Sequence, residues 1–156
     1  MKLVVMIPAY NEEETINSVI REIPRDCCDL VEVLVINDGS TDNTVEEAKN
    51  AGADRIVSFK KNRGLAPAFR AGLETALDMG ADIIVNTDGD GQYNGKQIPD
   101  LIKPILDGRA DFVLGSRTKG RIEYMPLQKR IGNRIATFVT RHVSGLPVSD
   151  AQSGFR

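Results

Sequence analysis

An α/β fold, an open and mainly parallel sheet flanked by helices, is what this sequence predicts. Two observations carry that prediction. Short apolar runs rich in β-branched residues recur along the chain, and each is followed by a segment of helical apolar spacing. The run Leu30–Ile36 is apolar on both faces, as in strands covered by helices on both sides. Alternation of this kind implies βαβ units with right-handed crossovers. The 156 residues are read as one domain, 1–156.

Lys2–Ile7 is predicted as the first strand, with Pro8 ending it. Glu12–Ile23 reads as a helix, because Ile16, Val19, Ile20 and Ile23 fall at i, i+3, i+4 and i+7. Its three leading glutamates suit the positive end of the helix dipole. Leu30–Ile36 is the second strand and Asn37–Thr41 a turn. Thr41 or Asp42 caps a helix through Lys49, with Gly52 at its C-cap. Asp54–Phe59 is the third strand. Leu65–Met79 is a helix with Leu65, Phe69, Gly72, Leu73 and Ala76 on one face, and Pro67 is tolerated in its first turn. Asp82–Asn86 is the fourth strand, followed by a polar turn and a helix Gln97–Leu106 interrupted near Pro99 and Pro104. Asp111–Gly115 is the fifth strand. A loop then leads to a last helix, Leu127–Val143.

The 20 basic and 22 acidic residues leave a net charge of −2, which argues against a dedicated nucleic-acid binder. No apolar run approaches the ~18 residues of a membrane span. The apolar start is too short for a signal peptide and runs into acidic residues, so a cytoplasmic location is expected. Cys27 and Cys28 are adjacent, form no CxxC metal pair, and read as unbridged thiols.

Ligands of open parallel sheets bind outside the carboxyl ends of the strands. The segments after strands one, two, four and five therefore line one crevice. The first, Pro8-Ala9-Tyr10-Asn11-Glu12, contains no glycine, so it is neither the GxGxxG of a dinucleotide fold nor a P-loop. Tyr10 can stack on a base, and Glu12 can reach a ribose or serve the helix dipole. Asp38, at the tip of strand two, can accept from a base N–H or a ribose hydroxyl. Asp42 reads as a helix cap.

Thr87-Asp88-Gly89-Asp90-Gly91-Gln92 places two carboxylates and an amide oxygen on one tight turn. Asp88 and Asp90 can converge on a hard cation, and all-oxygen donors suit Mg²⁺ or Mn²⁺. The alternative is an ordinary polar turn. Arg117, after strand five, can make charge-assisted bonds to a diphosphate. Arg63 reads equally well as a second such group or as a surface charge.

Together, Ile7-Pro8-Ala9-Tyr10-Asn11-Glu12-Glu13, Asn37-Asp38-Gly39-Ser40-Thr41-Asp42, Asn62-Arg63-Gly64, the Thr87–Gln92 turn and Gly115-Ser116-Arg117 resemble the inverting family 2 glycosyltransferases of the GT-A fold. Asp150-Ala151-Gln152-Ser153-Gly154-Phe155-Arg156 resembles the close of the catalytic region in the polyprenyl-phosphate branch, typified by dolichyl-phosphate mannose synthase.

The resemblance implies that Pro8, Tyr10, Glu12, Ile36 and Asp38 hold base and ribose. Asp88, Gly89 and Asp90 meet ribose, diphosphate and metal, and Gln92 completes the metal shell. Arg117 and Arg130 face the sugar diphosphate or the acceptor phosphate. Asp150, Gln152 and Arg156 lie near the reacting sugar. The expected catalytic groups are Asp90, Arg117 and Asp150. Where Gly89 stands the family more often carries an acidic residue or alanine, at a position that contributes mainly backbone.

The implied activity is transfer of a hexose, such as mannose or glucose, from a GDP- or UDP-sugar to a polyprenyl (dolichyl) phosphate, with inversion. Leu127–Val143 carries one apolar stripe, Leu127, Ile131, Ile135, Phe138 and Val139, with Lys129, Arg130, Arg134 and Arg141 off it. It reads either as a core-facing helix or, given the lipid-phosphate resemblance, as one that meets a membrane surface and places the protein at the cytoplasmic membrane face. Family chains continue past the final motif, so a catalytic domain lacking its C-terminal elements is expected. The rival is a non-catalytic nucleotide-sugar binding module. A nucleotidyltransferase would need a glycine-rich basic loop after strand one, which Pro8–Glu12 does not provide.

Overall fold

The computed structural model describes residues 1–116, Thr137, Phe138, Thr140, His142 and residues 154–156. Its order is β1 (Lys2–Ala9), α1 (Ile16–Arg21), β2 (Leu30–Asn37), α2 (Thr44–Asn50), β3 (Arg55–Ser58), α3 (Leu65–Asp78), β4 (Ile83–Asn86), a 3₁₀ turn (Gly95–Gln97) and α4 (Ile98–Leu106). The four strands form one parallel sheet in the order β3-β2-β1-β4.

Strand alternation sorts the core into two layers. Leu3, Val5 and Ile7 of β1 and Val31, Val33 and Val35 of β2 point to one face, where they pack with Ile16 and Ile20 of α1 and Ile98 and Ile102 of α4. Val4 and Met6 of β1 and Leu34 and Ile36 of β2 point to the other face, under Ala68 and Ala76 of α3. Gly72 lets α3 approach β1 closely, since a Cβ there would lie 3.0 Å from Met6 Sδ. Cys27 and Cys28 are free, half-buried thiols, as expected.

Several expectations are corrected. β1 continues through Pro8 to Ala9, with Pro8 opposite Ile36. Ala9 faces β2, because its carbonyl accepts Asp38 N at 2.9 Å. Met6 faces β4, because its carbonyl accepts Thr87 N at 3.1 Å. Pro8 shares the parity of Met6, so its missing donor falls on the β4 side, beyond the last paired residue of that ladder. Helix α1 begins at Ile16, not Glu12. The three glutamates precede it, and the Glu12 carbonyl accepts Thr15 N and Ile16 N in a turn. Leu65 is off the core face of α3 and 65% exposed. Helix α4 runs unbroken past Pro99, which lies in the first turn where no acceptor is required, and past Pro104 near its end.

The expected fifth strand is not formed. Arg156 occupies the end of the β4 edge, exchanging backbone bonds with Asn86 in antiparallel fashion (2.5 and 3.2 Å). Gly115 N reaches only the Phe155 carbonyl, at 2.8 Å. Asp111, Phe112 and Val113 instead line a groove of ≈ 310 Å³ along β4, together with Ile84 and Ile102. Of the expected last helix, Thr137, Phe138, Thr140 and His142 are described and helical. Phe138, placed on the apolar stripe, is 67% exposed and stacks on His142 with ring centroids 5.8 Å apart. No helix among the described residues is long and apolar enough to cross a membrane.

Candidate functional site

Because the four strands are parallel, Ala9, Asn37, Ser58 and Asn86 end on one edge of the sheet, and the loops that follow them converge. The loops after β1 and β2 are laced together. Asn11 sits in the left-handed region at φ 55°, which asparagine tolerates, and its Oδ1 accepts Thr41 N at 2.9 Å. Asn11 N donates to Ser40 Oγ at 3.0 Å, Glu12 N to Thr44 Oγ1 at 2.8 Å, and Glu13 N to Asp42 Oδ2 at 3.2 Å. Asn43 N returns a bond to Glu13 Oε2 at 2.9 Å. Asp42, expected as the cap of α2, lies one residue before the N-cap Asn43, and its Oδ1 accepts Thr44 N, the first N–H of the helix, at 3.0 Å. Desolvation works against its charge, but bonds from Thr44 and Glu13 outweigh that and hold its carboxyl below the ordinary range.

Asp38 is buried, and its carboxylate reaches across to the loop after β3. Oδ1 accepts Arg63 N at 2.7 Å and Oδ2 accepts Gly64 N at 2.8 Å. It thereby caps α3 from outside the helix. Gly39 makes this junction possible. Its φ is +74°, and a Cβ there would lie 2.4 Å from the Lys61 carbonyl carbon. The Arg63 guanidinium lies over the Phe59 ring, 5.0 Å from the centroid.

The turn after β4 carries Asp88 and Asp90, both half-buried, on either side of buried Gly89. Gln92 N donates to Asp90 Oδ1 at 3.0 Å, which curls the turn, and Gly91 supplies a φ of +74°. The residues 154–156 dock against it. Gly154 N donates to the Tyr93 hydroxyl at 2.9 Å, Asn86 Nδ2 donates to the Gly154 carbonyl at 2.6 Å, and Phe155 stacks on Tyr93 at 5.5 Å. A Cβ on Gly154 would lie 2.5 Å from Asp88 Oδ2. Glycine at that position leaves the space that the Asp88 carboxylate occupies.

The structure thus brings Pro8, Tyr10, Glu12, Asp38, Asp88, Gly89, Asp90 and Gln92 to one edge. Tyr10 is 46% exposed there and Gln92 is exposed. Ile36 is fully buried beneath α3, with no side-chain surface for a ligand. Arg156 turns to the α3 side, its guanidinium over Phe69 at 4.7 Å, and its buried Nε has no hydrogen-bond partner among the described residues. Arg117, Arg130, Asp150 and Gln152 lie outside the described residues. So do the Lys119–Pro126 loop and the basic residues of the last helix. The spacing of motifs pointed to none of Thr15, Thr44, Tyr93 or Gly154.

The donors at the turn are carboxylate and amide oxygens, which fit Mg²⁺ or Mn²⁺. No group of three His, Cys, Asp or Glu side chains gathers for a metal among the described residues. A cation would rest on Asp88, Asp90 and Gln92, with its remaining positions open to ligand oxygens or water.

The parallel sheet with two carboxylates on the turn after β4 is a domain of the GT-A type. The profile of the family described as "Glycosyl transferase family 2" matches residues 4–156, and the chain belongs to that family. It is 36% identical over 169 residues to the UDP-N-acetylglucosamine–dolichyl-phosphate N-acetylglucosaminyltransferase of Methanococcus voltae, covering 97% of this chain and 66% of that protein. It is 29% identical to the polyprenol monophosphomannose synthase of Mycolicibacterium smegmatis, covering 99% of this chain and 60% of that one. Among solved structures it resembles the glucosyl-3-phosphoglycerate synthase of Mycobacterium tuberculosis in complex with Mn²⁺, UDP-glucose and phosphoglyceric acid. That likeness has a TM-score of 0.73 at 28% identity and covers 99% of this chain and 55% of that one. The chain therefore spans less than two thirds of the length of these relatives.

Proposed function

We propose that this chain is the donor-binding part of an enzyme that transfers a hexose from a GDP- or UDP-sugar to a polyprenyl phosphate, with inversion. The observation that carries the reading is the curled Asp88–Gln92 turn at the carboxyl edge, beside the laced loops bearing Tyr10, Glu12 and Asp38. The polyprenyl-phosphate names of two relatives support the acceptor class, and the Mn²⁺ and UDP-glucose of the structural neighbour support the donor class.

In this reading Tyr10 stacks on the base and Glu12 accepts from a ribose hydroxyl. Asp38 acts on the nucleotide through the Arg63–Gly64 loop that it holds. Asp88, Asp90 and Gln92 hold Mg²⁺ or Mn²⁺, which neutralises charge on the leaving diphosphate. Arg117 adds a charge-assisted bond there, stronger in the transition state than in the ground state. The acceptor phosphate is already an anion at neutral pH and needs no general base. It is oriented by Arg130 and Gln152, and attacks the anomeric carbon from the face opposite the diphosphate. Asp150 is the base if the acceptor is a hydroxyl. The basic face of Leu127–Val143 brings the protein to the lipid surface.

Transfer of radiolabel from UDP- or GDP-hexoses into the organic phase tests this. Label should enter with polyprenyl phosphate and Mn²⁺, and not with the free polyprenol. Donor binding with no transfer to any acceptor would instead favour the non-catalytic binding module.

A further inference from the structure

Thr15 occupies the N-cap of α1, yet its side chain makes no capping bond. A threonine there ordinarily accepts from a free backbone N–H of the first turn. Here the hydroxyl is turned away from the helix. It donates to the carbonyl of Gly89 at 2.7 Å, 74 residues away, in the centre of the Asp88–Asp90 turn. The same oxygen lies 3.0 Å from Glu12 Oε2. A threonine hydroxyl has one proton. Its two nearer acceptors compete for it, a carboxylate on the nucleoside side of the crevice and a carbonyl on the metal side; a third, the Glu12 carbonyl, lies farther off at 3.5 Å.

We propose that Thr15 is a positioning residue that couples nucleoside binding to the shape of the metal turn. With the crevice empty, the Glu12 carboxylate and the Gly89 carbonyl share the proton. When ribose hydroxyls donate to Glu12, that carboxylate no longer needs Thr15, and the proton passes wholly to Gly89. The bond then fixes the peptide between Asp88 and Asp90, and both carboxylates are held in one arrangement. Coupling between two sites is reciprocal, so a cation at the turn raises nucleoside affinity by the same factor. This inference rests on the donor-site reading above.

Nucleosides without phosphate make the test specific, because a diphosphate would touch the cation directly and couple the two sites without Thr15. Free Mn²⁺ is followed by electron paramagnetic resonance with and without saturating uridine or guanosine. In the wild-type protein one nucleoside should tighten Mn²⁺ binding about three- to fivefold, the factor expected for one ordinary hydrogen bond. Thr15→Ser keeps the proton and should keep the effect, whereas Thr15→Val should abolish it. Amide exchange at Asp90–Gln92 in the metal-free protein should slow on adding the nucleoside, again except in Thr15→Val. Coupling that persists undiminished in Thr15→Val overturns the proposal, as does a wild-type protein that binds Mn²⁺ with UDP or GDP but shows no nucleoside effect. Failure to bind any of these nucleotides overturns the donor-site reading itself.

Discussion

Gly39→Ala is expected to lower the melting temperature by roughly 6–12 °C, a loss of about 3 kcal/mol for a domain of this size. Two costs add. A side chain at φ +74° costs about 1–2 kcal/mol, and the new methyl would overlap the Lys61 carbonyl carbon, with overpacking adding about 1–3 kcal/mol. Its neighbours, from Lys61 and Asn62, are all backbone atoms, so relief must come from parting the loops after β2 and β3. Gly52→Ala separates the two costs, because Gly52 also has a positive φ, +90°, but nothing within 4 Å of its Cβ position. It should lose only the smaller, conformational part. Equal losses in the two variants would show that the Gly39 contact carries no energy.

Asp90→Ala should weaken Mn²⁺-supported binding of UDP or GDP by at least about 100-fold, since even residues one shell outside a metal commonly cost 10–100-fold. Alanine also removes the bond from Gln92 N that curls the turn. Asp90→Asn keeps an oxygen acceptor for that bond and removes only the charge. Calorimetry should find it nearly as damaged as alanine. Wild-type affinity in Asp90→Asn would mean that Asp90 shapes the turn and holds no metal.

These predictions also mark where the sequence was readable. Ile16, Val19, Ile20 and Ile23 announced α1 because helical burial repeats locally, and all four are buried. The parallel sheet followed from strands apolar on both faces, and the crevice followed from the topology. Pro8 misled because its tolerance depends on which neighbour its missing N–H would have faced, and that is a property of the sheet. Asp111–Gly115 has the composition of a strand, but Arg156 takes the β4 edge beside it. That competition between segments 45 residues apart leaves no local trace. The part Asp38 takes was half legible. A carboxylate at a strand tip was visible, whereas its two partners, Arg63 N and Gly64 N, arrive on another loop. Thr15 gave no signal, falling inside the expected helix Glu12–Ile23, and only the placement of Gly89 shows where its proton goes.

Calorimetric titration of UDP and of GDP into the wild-type protein, once with Mn²⁺ and once with EDTA, tests whether the carboxyl edge of this sheet binds a nucleoside diphosphate together with a divalent cation. One of the two should bind saturably in Mn²⁺ and at least about tenfold more weakly in EDTA, the diphosphate then lacking a cation to neutralise it. Binding of neither, or the same affinity with and without the metal, would contradict it.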